Sequence, residues 1–224
     1  SASRLAPRRY YAQADHSSSA SAIGRTLGNL NTKFPRGSPN LAKLNELMIR
    51  IVGMEVSFGK LLSTDGQETN LLDIRVGRPG SSRSKFAQLP DVGYGVSQTL
   101  PLVAAIVDTG ESSPDTTLVI EEAESNLHPA AQSRLMDAIL ENLNTDLPSP
   151  KIILETHSEH FLMTVQRHLR EGGLDIKDED IAILYVDNDN PGGITEVHHM
   201  ETRKGDFLSP WPRENWDDPT SPII

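Results

Sequence analysis

The residues best suited to chemistry lie in Thr116 to Pro129, TTLVIEEAESNLHP, where a short apolar run ends abruptly in two adjacent carboxylates, Glu121 and Glu122. A buried strand that delivers acid groups to the carboxyl edge of a sheet is how many nucleotide-hydrolysis sites are built. One carboxylate can serve the magnesium of a bound nucleotide, and the next can orient the attacking water. Taken alone, the same residues also fit a core strand followed by a solvated acidic turn.

Two further segments bear on that choice. Upstream, Asp91 to Leu100, DVGYGVSQTL, is a glycine-rich turn running into an amphipathic helix. Downstream, Lys151 to Phe161, KIILETHSEHF, is an apolar strand ending in Thr156, His157 and Ser158. A glycine-serine motif, an acidic strand end and a strand ending in histidine, in this order, resemble the soluble branch of the ABC-class ATPases. That branch includes the chromosome-maintenance and recombination ATPases, the overcoming-lysogenization-defect nucleases and many predicted ATPases of bacterial defence systems. The resemblance is strong over residues 91–165 and weaker at LAPRRYY (5–11) and Trp211-Pro212, which look like the ends of one predicted-ATPase subgroup.

The resemblance implies ATP and Mg as cofactors and assigns roles residue by residue. Glu121 stands where the Walker B acid coordinates magnesium, with glutamate lengthening the arm by one methylene relative to the usual aspartate. Glu122 stands where the catalytic glutamate polarises the nucleophilic water, and His157 where the switch histidine senses the terminal phosphate. Ser125, Asn126, Leu127 and His128 occupy the D-loop, with His128 replacing its usual terminal aspartate. Gly93, Gly95, Ser97 and Gln98 occupy the signature motif, in a loose GVSQ form. In such ATPases two domains sandwich two nucleotides, so Ser97 would act in trans and Glu121, Glu122 and His157 in cis. The implied partners are a second copy or another ATPase subunit, with a nuclease or DNA as further candidates.

Periodicity places these residues on regular elements. After Gly95, Val96, Leu100, Val103 and Val107 recur at helical spacing, which makes Ser97 an expected N-cap and puts Pro101 in the first turn. Capping alone would also account for a serine at position 97. LVI before Glu121 and IIL before Glu155 read as buried parallel strands. Between them Pro129 opens a helix with Leu135, Ala138, Ile139 and Leu143 as its stripe, and another follows Ser158 with Phe161, Leu162, Val165 and Leu169, stopped at Gly172-Gly173. Strand, helix, strand, helix predicts an α/β fold, a layered P-loop NTPase-type (ABC ATPase) core that is partial here. Upstream, a helix from Ser38-Pro39 carries Leu41, Leu44, Met48 and Ile51, and strands near 55–61 and 71–76 flank the turn Asp65-Gly66 as a small antiparallel β and helical subdomain. Ile181 to Val186 and Ile194 to Val197 flank Asn190-Pro191-Gly192-Gly193 as a hairpin. The expected organisation is an amino-terminal part over 1–90, the ATPase core portion over 91–200 and a tail over 201–224.

The phosphate loop G-x-x-x-x-G-K-[ST] is missing. Lys60 follows Gly59, but Met54 stands at the first glycine and Leu61 replaces the hydroxyl. Without that loop the phosphates have no backbone cradle and no lysine, and magnesium has no Ser/Thr ligand. Three explanations stay open: a carboxyl-terminal half whose Walker A loop lies in an amino-terminal segment, a loop supplied by a partner chain, or a degenerate ATPase fold kept as an interaction module. A zinc hydrolase fits less well, because H-S-E-H at 157–160 matches neither H-E-x-x-H nor H-x-x-E-H.

Composition sets outer bounds. The 224 residues can bury a substantial core, and no apolar run approaches the roughly 20 residues needed to span a bilayer, so no membrane partner is expected. With no cysteine there is no disulfide, thiolate zinc site or cysteine nucleophile, and no secretory pattern is visible; a cytoplasmic location is the expectation. Residues 1–112 carry 13 Lys/Arg against 9 Asp/Glu, net +4, whereas 113–224 carry 8 against 22, net −14. The acidic half argues against a broad nucleic-acid surface there. The basic groups at Arg4, Arg8, Arg9, Arg75, Arg78, Arg83 and Lys85 fit a solvated loop surface better than a phosphate-binding one.

Overall fold

The computed structural model describes residues 10–12, 30–109, 117–143, 151–187 and 194–208. The loop expected at 15–21, the turn at 190–193, the arginines at 4, 8 and 9 and the closing segment 211–224 lie outside the described residues. The chain forms two compact units, Ser1–Phe161 and Leu162–Ile224.

In the first unit, helix α1 (Pro39–Val52) begins where its sequence demands. The Ser38 hydroxyl accepts from the Leu41 amide at 3.1 Å, and Pro39 needs no donor in the first turn. Gly53 ends the helix in the left-handed region at φ 72°, where its amide reaches the Ile49 carbonyl at 2.9 Å. Leu44, Leu47, Met48 and Ile51 form the buried stripe. Next come strands β2 (Glu55–Leu62) and β3 (Glu68–Gly77), paired antiparallel. β1 (Tyr10–Ala12) runs along Leu71–Asp73 of β3, and β4 (Ala87–Gln88) along Arg75–Val76. Asn45 fastens α1 to this sheet, because its side-chain amide makes both bonds to the backbone of Val56, at 2.6 and 3.2 Å.

Helix α2 (Tyr94–Thr109) starts three residues before Ser97, which corrects the expected cap. The Gly93 carbonyl takes the amides of Val96 at 3.0 Å and Ser97 at 3.4 Å, so helical bonding begins right after the turn that ends in Gly93. Ser97 is interior to the helix, and Pro101 lies in its second turn rather than its first. Leu100, Val103, Ile106 and Val107 are buried as a stripe, which packs α2 against α1.

Strand β5 (Thr117–Glu121) and strand β6 (Lys151–Glu155) pair in parallel, joined through helix α3 (Pro129–Leu143), so the expected parallel α/β unit is present. Leu135, Ala138, Ile139 and Leu140 of α3 are buried. Asn142, 5% exposed, donates to the Ile106 carbonyl at 3.0 Å and accepts from Lys43 at 3.3 Å, which ties α3 to α2 and α1. One face of the β5–β6 sheet is lined by Leu118, Ile120, Ile152 and Leu154; on the other, Val119 and Ile153, each 59% exposed, stand among Thr117, Glu121, Lys151 and Glu155.

The second unit contains most of helix α4 (Glu159–Glu171) and the antiparallel pair β7 (Ile183–Asp187) and β8 (Glu196–Met200), as the hairpin pattern predicted. A short ribbon of β9 (Thr202–Arg203) and β10 (Asp206–Phe207) follows. Gly172 ends α4, its amide bonded to the His168 carbonyl at 3.0 Å. No described helix is long and apolar enough to cross a membrane.

Candidate functional site

Parallel pairing sets Glu121 opposite Glu155 at the carboxyl ends of β5 and β6. The register continues one residue further, because the Glu122 amide donates to the Glu155 carbonyl at 3.1 Å. Glu122 then turns into the left-handed region at φ 47°, an uncommon conformation for a residue with a side chain and one found at functional turns. The turn is held by the Ser125 amide on the Glu122 carbonyl at 3.1 Å, and the Ser125 hydroxyl reaches Glu122 Oε2 at 3.2 Å. Glu121 and Glu122 are both exposed, so the strand end presents its two carboxylates to solvent.

The loop continues through Glu124, Asn126 and His128. Asn126, also left-handed at φ 63°, donates through Nδ2 to Gln98 Oε1 of α2 at 2.9 Å. Gly95 lies under the same loop: a Cβ there would fall 2.5 Å from the Asn126 carbonyl oxygen and 3.3 Å from Leu127. Two residues of the glycine-serine motif therefore touch the loop that follows the carboxylates. His128 caps α3, with Nδ1 accepting from the Ala130 amide at 3.2 Å and its carbonyl taking the Ala131 amide at 2.7 Å. Ser97 is turned inward at 6% exposure, and its hydroxyl bonds back to the Tyr94 carbonyl at 2.9 Å, as serine does inside helices. Gly93 is exposed at the helix start.

His157 stands at the end of β6 with an exposed ring, beside the loop that carries the carboxylates. Its backbone amide donates to Glu124 Oε1 at 2.6 Å, and Glu124 is 9% exposed. Ser158 starts α4, accepting from the Phe161 amide at 3.3 Å and donating to Gln132 Oε1 at 2.6 Å. Gln132 in turn reaches the Leu127 carbonyl at 3.1 Å. Glu124 and Gln132 are the residues that sequence reasoning missed. The available signal was a further carboxylate two places past Glu122 in a run otherwise read as a turn.

Glu121, Glu122, Asn126, Gln98, Gly95 and His157 are thus gathered on one edge of the first unit, with Ser97 just beneath it and its hydroxyl turned away. Among the described residues no group of three or more His, Asp or Glu is arranged to enclose a metal ion. An exposed carboxylate at Glu121 does fit magnesium of the kind that arrives on a nucleotide, which takes one or two carboxylates and fills its remaining positions with phosphate and water. The edge is rich in carboxylates, with Glu155 beside Glu121 and Glu122. A polyphosphate can approach it only with cations supplied alongside, which is the role of the magnesium and lysine of nucleotide sites.

The same fold occurs in the heads of SMC proteins. An SMC ATPase structure from work on ATP-driven dimerisation and DNA-stimulated activation is 12% identical, with a TM-score of 0.50, over 78% of this chain and 89% of that one. The SMC head of Pyrococcus furiosus with an extended coiled coil, bound to the carboxyl-terminal domain of ScpA, is 14% identical with a TM-score of 0.50, over 72% of this chain and 34% of its own. An SMC head bound to the winged-helix domain of ScpA is 14% identical with a TM-score of 0.51, over 74% and 43%. This chain therefore spans most of the first structure and less than half of the other two. No curated protein matches. Residues 12–163 match the AAA_21 family model, an AAA domain whose description names the AbiEii toxin and a Type IV TA system, and with that match covering more than half of its 224 residues the chain belongs to this AAA-domain family.

Proposed function

We propose that this chain is the carboxyl-terminal portion of an ABC-type ATPase that binds and hydrolyses ATP once a Walker A loop completes it. The observation that carries the reading is the parallel β5–β6 pair, whose register puts Glu121 and Glu122 at one strand end and His157 at the next. In this reading Glu122, held in its turn by Ser125, polarises the attacking water, and the exposed His157 ring meets the terminal phosphate. Glu121 would hold a nucleotide-borne magnesium, whose chemistry is to neutralise the charge of the β- and γ-phosphates. Gly93, Gly95, Ser97 and Gln98 would serve the nucleotide of an opposing subunit, with Ser125, Asn126 and His128 close to that interface. Ser97 would have to release its bond to the Tyr94 carbonyl to reach a phosphate.

One exposed apolar pair is consistent with a further covering segment: Val119 and Ile153 lie opposite each other on one face of β5–β6, and parallel strands are normally covered on both faces. An amino-terminal segment carrying the phosphate loop would supply both the cover and the cradle. The alternative, an inactive ATPase-fold interaction module, is favoured by the missing loop alone.

Similar proteins point to what hydrolysis drives. The related SMC ATPases dimerise with ATP and respond to DNA, and the family description refers to a toxin system. These support coupling to dimerisation and to DNA repair or phage defence, with DNA or a nuclease as partner, in the manner of the overcoming-lysogenization-defect proteins, and a cytoplasmic site of action. Light scattering on the full-length product with Glu122→Gln tests the reading. Mg-ATP should convert the variant from monomer to dimer, and failure to bind ATP at all would overturn the proposal.

A further inference from the structure

We propose that Glu124 is the positioning residue for His157, an inference that rests on the ATPase reading and assigns a role to a side chain outside the motifs. The carboxyl group of Glu124 is nine-tenths buried, and its Oε1 receives the His157 backbone amide at 2.6 Å. Its other oxygen, Oε2, is buried with no hydrogen-bond partner among the described residues. Burying a carboxyl group costs free energy, and among the described residues the one hydrogen bond this carboxyl receives is that of the His157 amide, which marks the place where the group acts. That bond crosses from the loop after β5 to the end of β6 and fixes the backbone from which the exposed imidazole projects.

A second brace runs in parallel, from Ser158 through Gln132 to the Leu127 carbonyl. Asn126, in the same loop as Glu124, is bonded to Gln98 of α2. The 122–128 loop therefore joins the glycine-serine helix to His157 through direct hydrogen bonds, and Glu124 makes its final link. A shift of that loop against α2 would move the histidine with it.

Two conservative variants separate reach from charge. Glu124→Gln keeps an acceptor oxygen at full length and removes the charge, whereas Glu124→Asp keeps the charge and withdraws the oxygen by one methylene. In the full-length protein, amide hydrogen exchange at His157 and steady-state hydrolysis are measured for both variants and for Glu124→Ala. Glu124→Gln should keep His157 protected, with kcat within about threefold of wild type. Glu124→Asp and Glu124→Ala should each lose about tenfold or more in amide protection and in kcat, while the affinity for ATP stays within about threefold. Protection that survives in Glu124→Asp and Glu124→Ala overturns the assignment, as does a Glu124→Gln variant as impaired as Glu124→Ala. Wild-type protein without ATP turnover would refute the ATPase reading instead, and the exchange measurement would still decide whether Glu124 holds His157.

Discussion

Replacing Gly95 by alanine should destabilise the protein, against the usual sign for such a change. Inside a helix, Gly→Ala normally gains about 1 kcal/mol from backbone entropy and propensity. At Gly95 the added methyl would lie 2.5 Å from the Asn126 carbonyl oxygen, a backbone atom that cannot rotate away. Ordinary C···O contacts begin near 3.3 Å, so helix and loop must separate by about 0.8 Å. Overpacking of this kind costs about 2–3 kcal/mol, which leaves a net loss of about 1–2 kcal/mol and a Tm lowered by roughly 2–8 °C for a chain of this size. The same separation should break the Asn126–Gln98 bond. Thermal and urea unfolding followed by circular dichroism give the number, with Gly59→Ala as the control, since a Cβ at Gly59 meets nothing within 4 Å. The control should unfold within about 1 kcal/mol of wild type. A Gly95→Ala protein as stable as wild type, or more so, would refute the close approach of α2 and the 122–128 loop.

Other outcomes follow from single interactions. Asn142→Ala should cost about 1–3 kcal/mol in urea unfolding, because it strips a buried partner from the Ile106 carbonyl and from Lys43; an unchanged midpoint would contradict the described tie between α3, α2 and α1. In the second unit, the Asp178 carboxyl is held below the ordinary aspartate range, first by the Thr202 side chain and then by the amides of Gly205 and Lys204. A pKa lower when folded than when unfolded means that the stabilisation is present above the unfolded value and is lost as pH falls through the folded one. The Lys204 and Gly205 amide resonances should therefore titrate below the ordinary carboxylate range and stop doing so in Asp178→Asn, and a titration that persists in the variant would assign it to another group.

Much of this architecture was legible because the pattern and the punctuation agreed. Ser38-Pro39 and the Leu44–Met48–Ile51 stripe define α1, and Pro129 and the Leu135–Ala138–Ile139 stripe define α3, since capping chemistry and core burial both act locally. The parallel β5–β6 pair was readable from two apolar runs ending in polar groups. The start of α2 was not, because serine is a good cap and also an acceptable helical residue that can bond back to its own backbone; only the Gly93 carbonyl bonds decide between them. Glu124 escaped notice for a different reason. Its importance lies in a contact with His157, thirty-three positions away, and no local spacing encodes that. His128 shows how two roles can coexist, since a residue that matches the D-loop by resemblance also caps α3.

The central question is whether Glu122 activates water. Magnesium-dependent ATP turnover by the full-length natural product, measured beside its Glu122→Gln variant, asks this directly. The wild type should turn over ATP, and the variant should bind it but hydrolyse it about 100-fold more slowly. Equal turnover by the two proteins would remove Glu122 from the reaction.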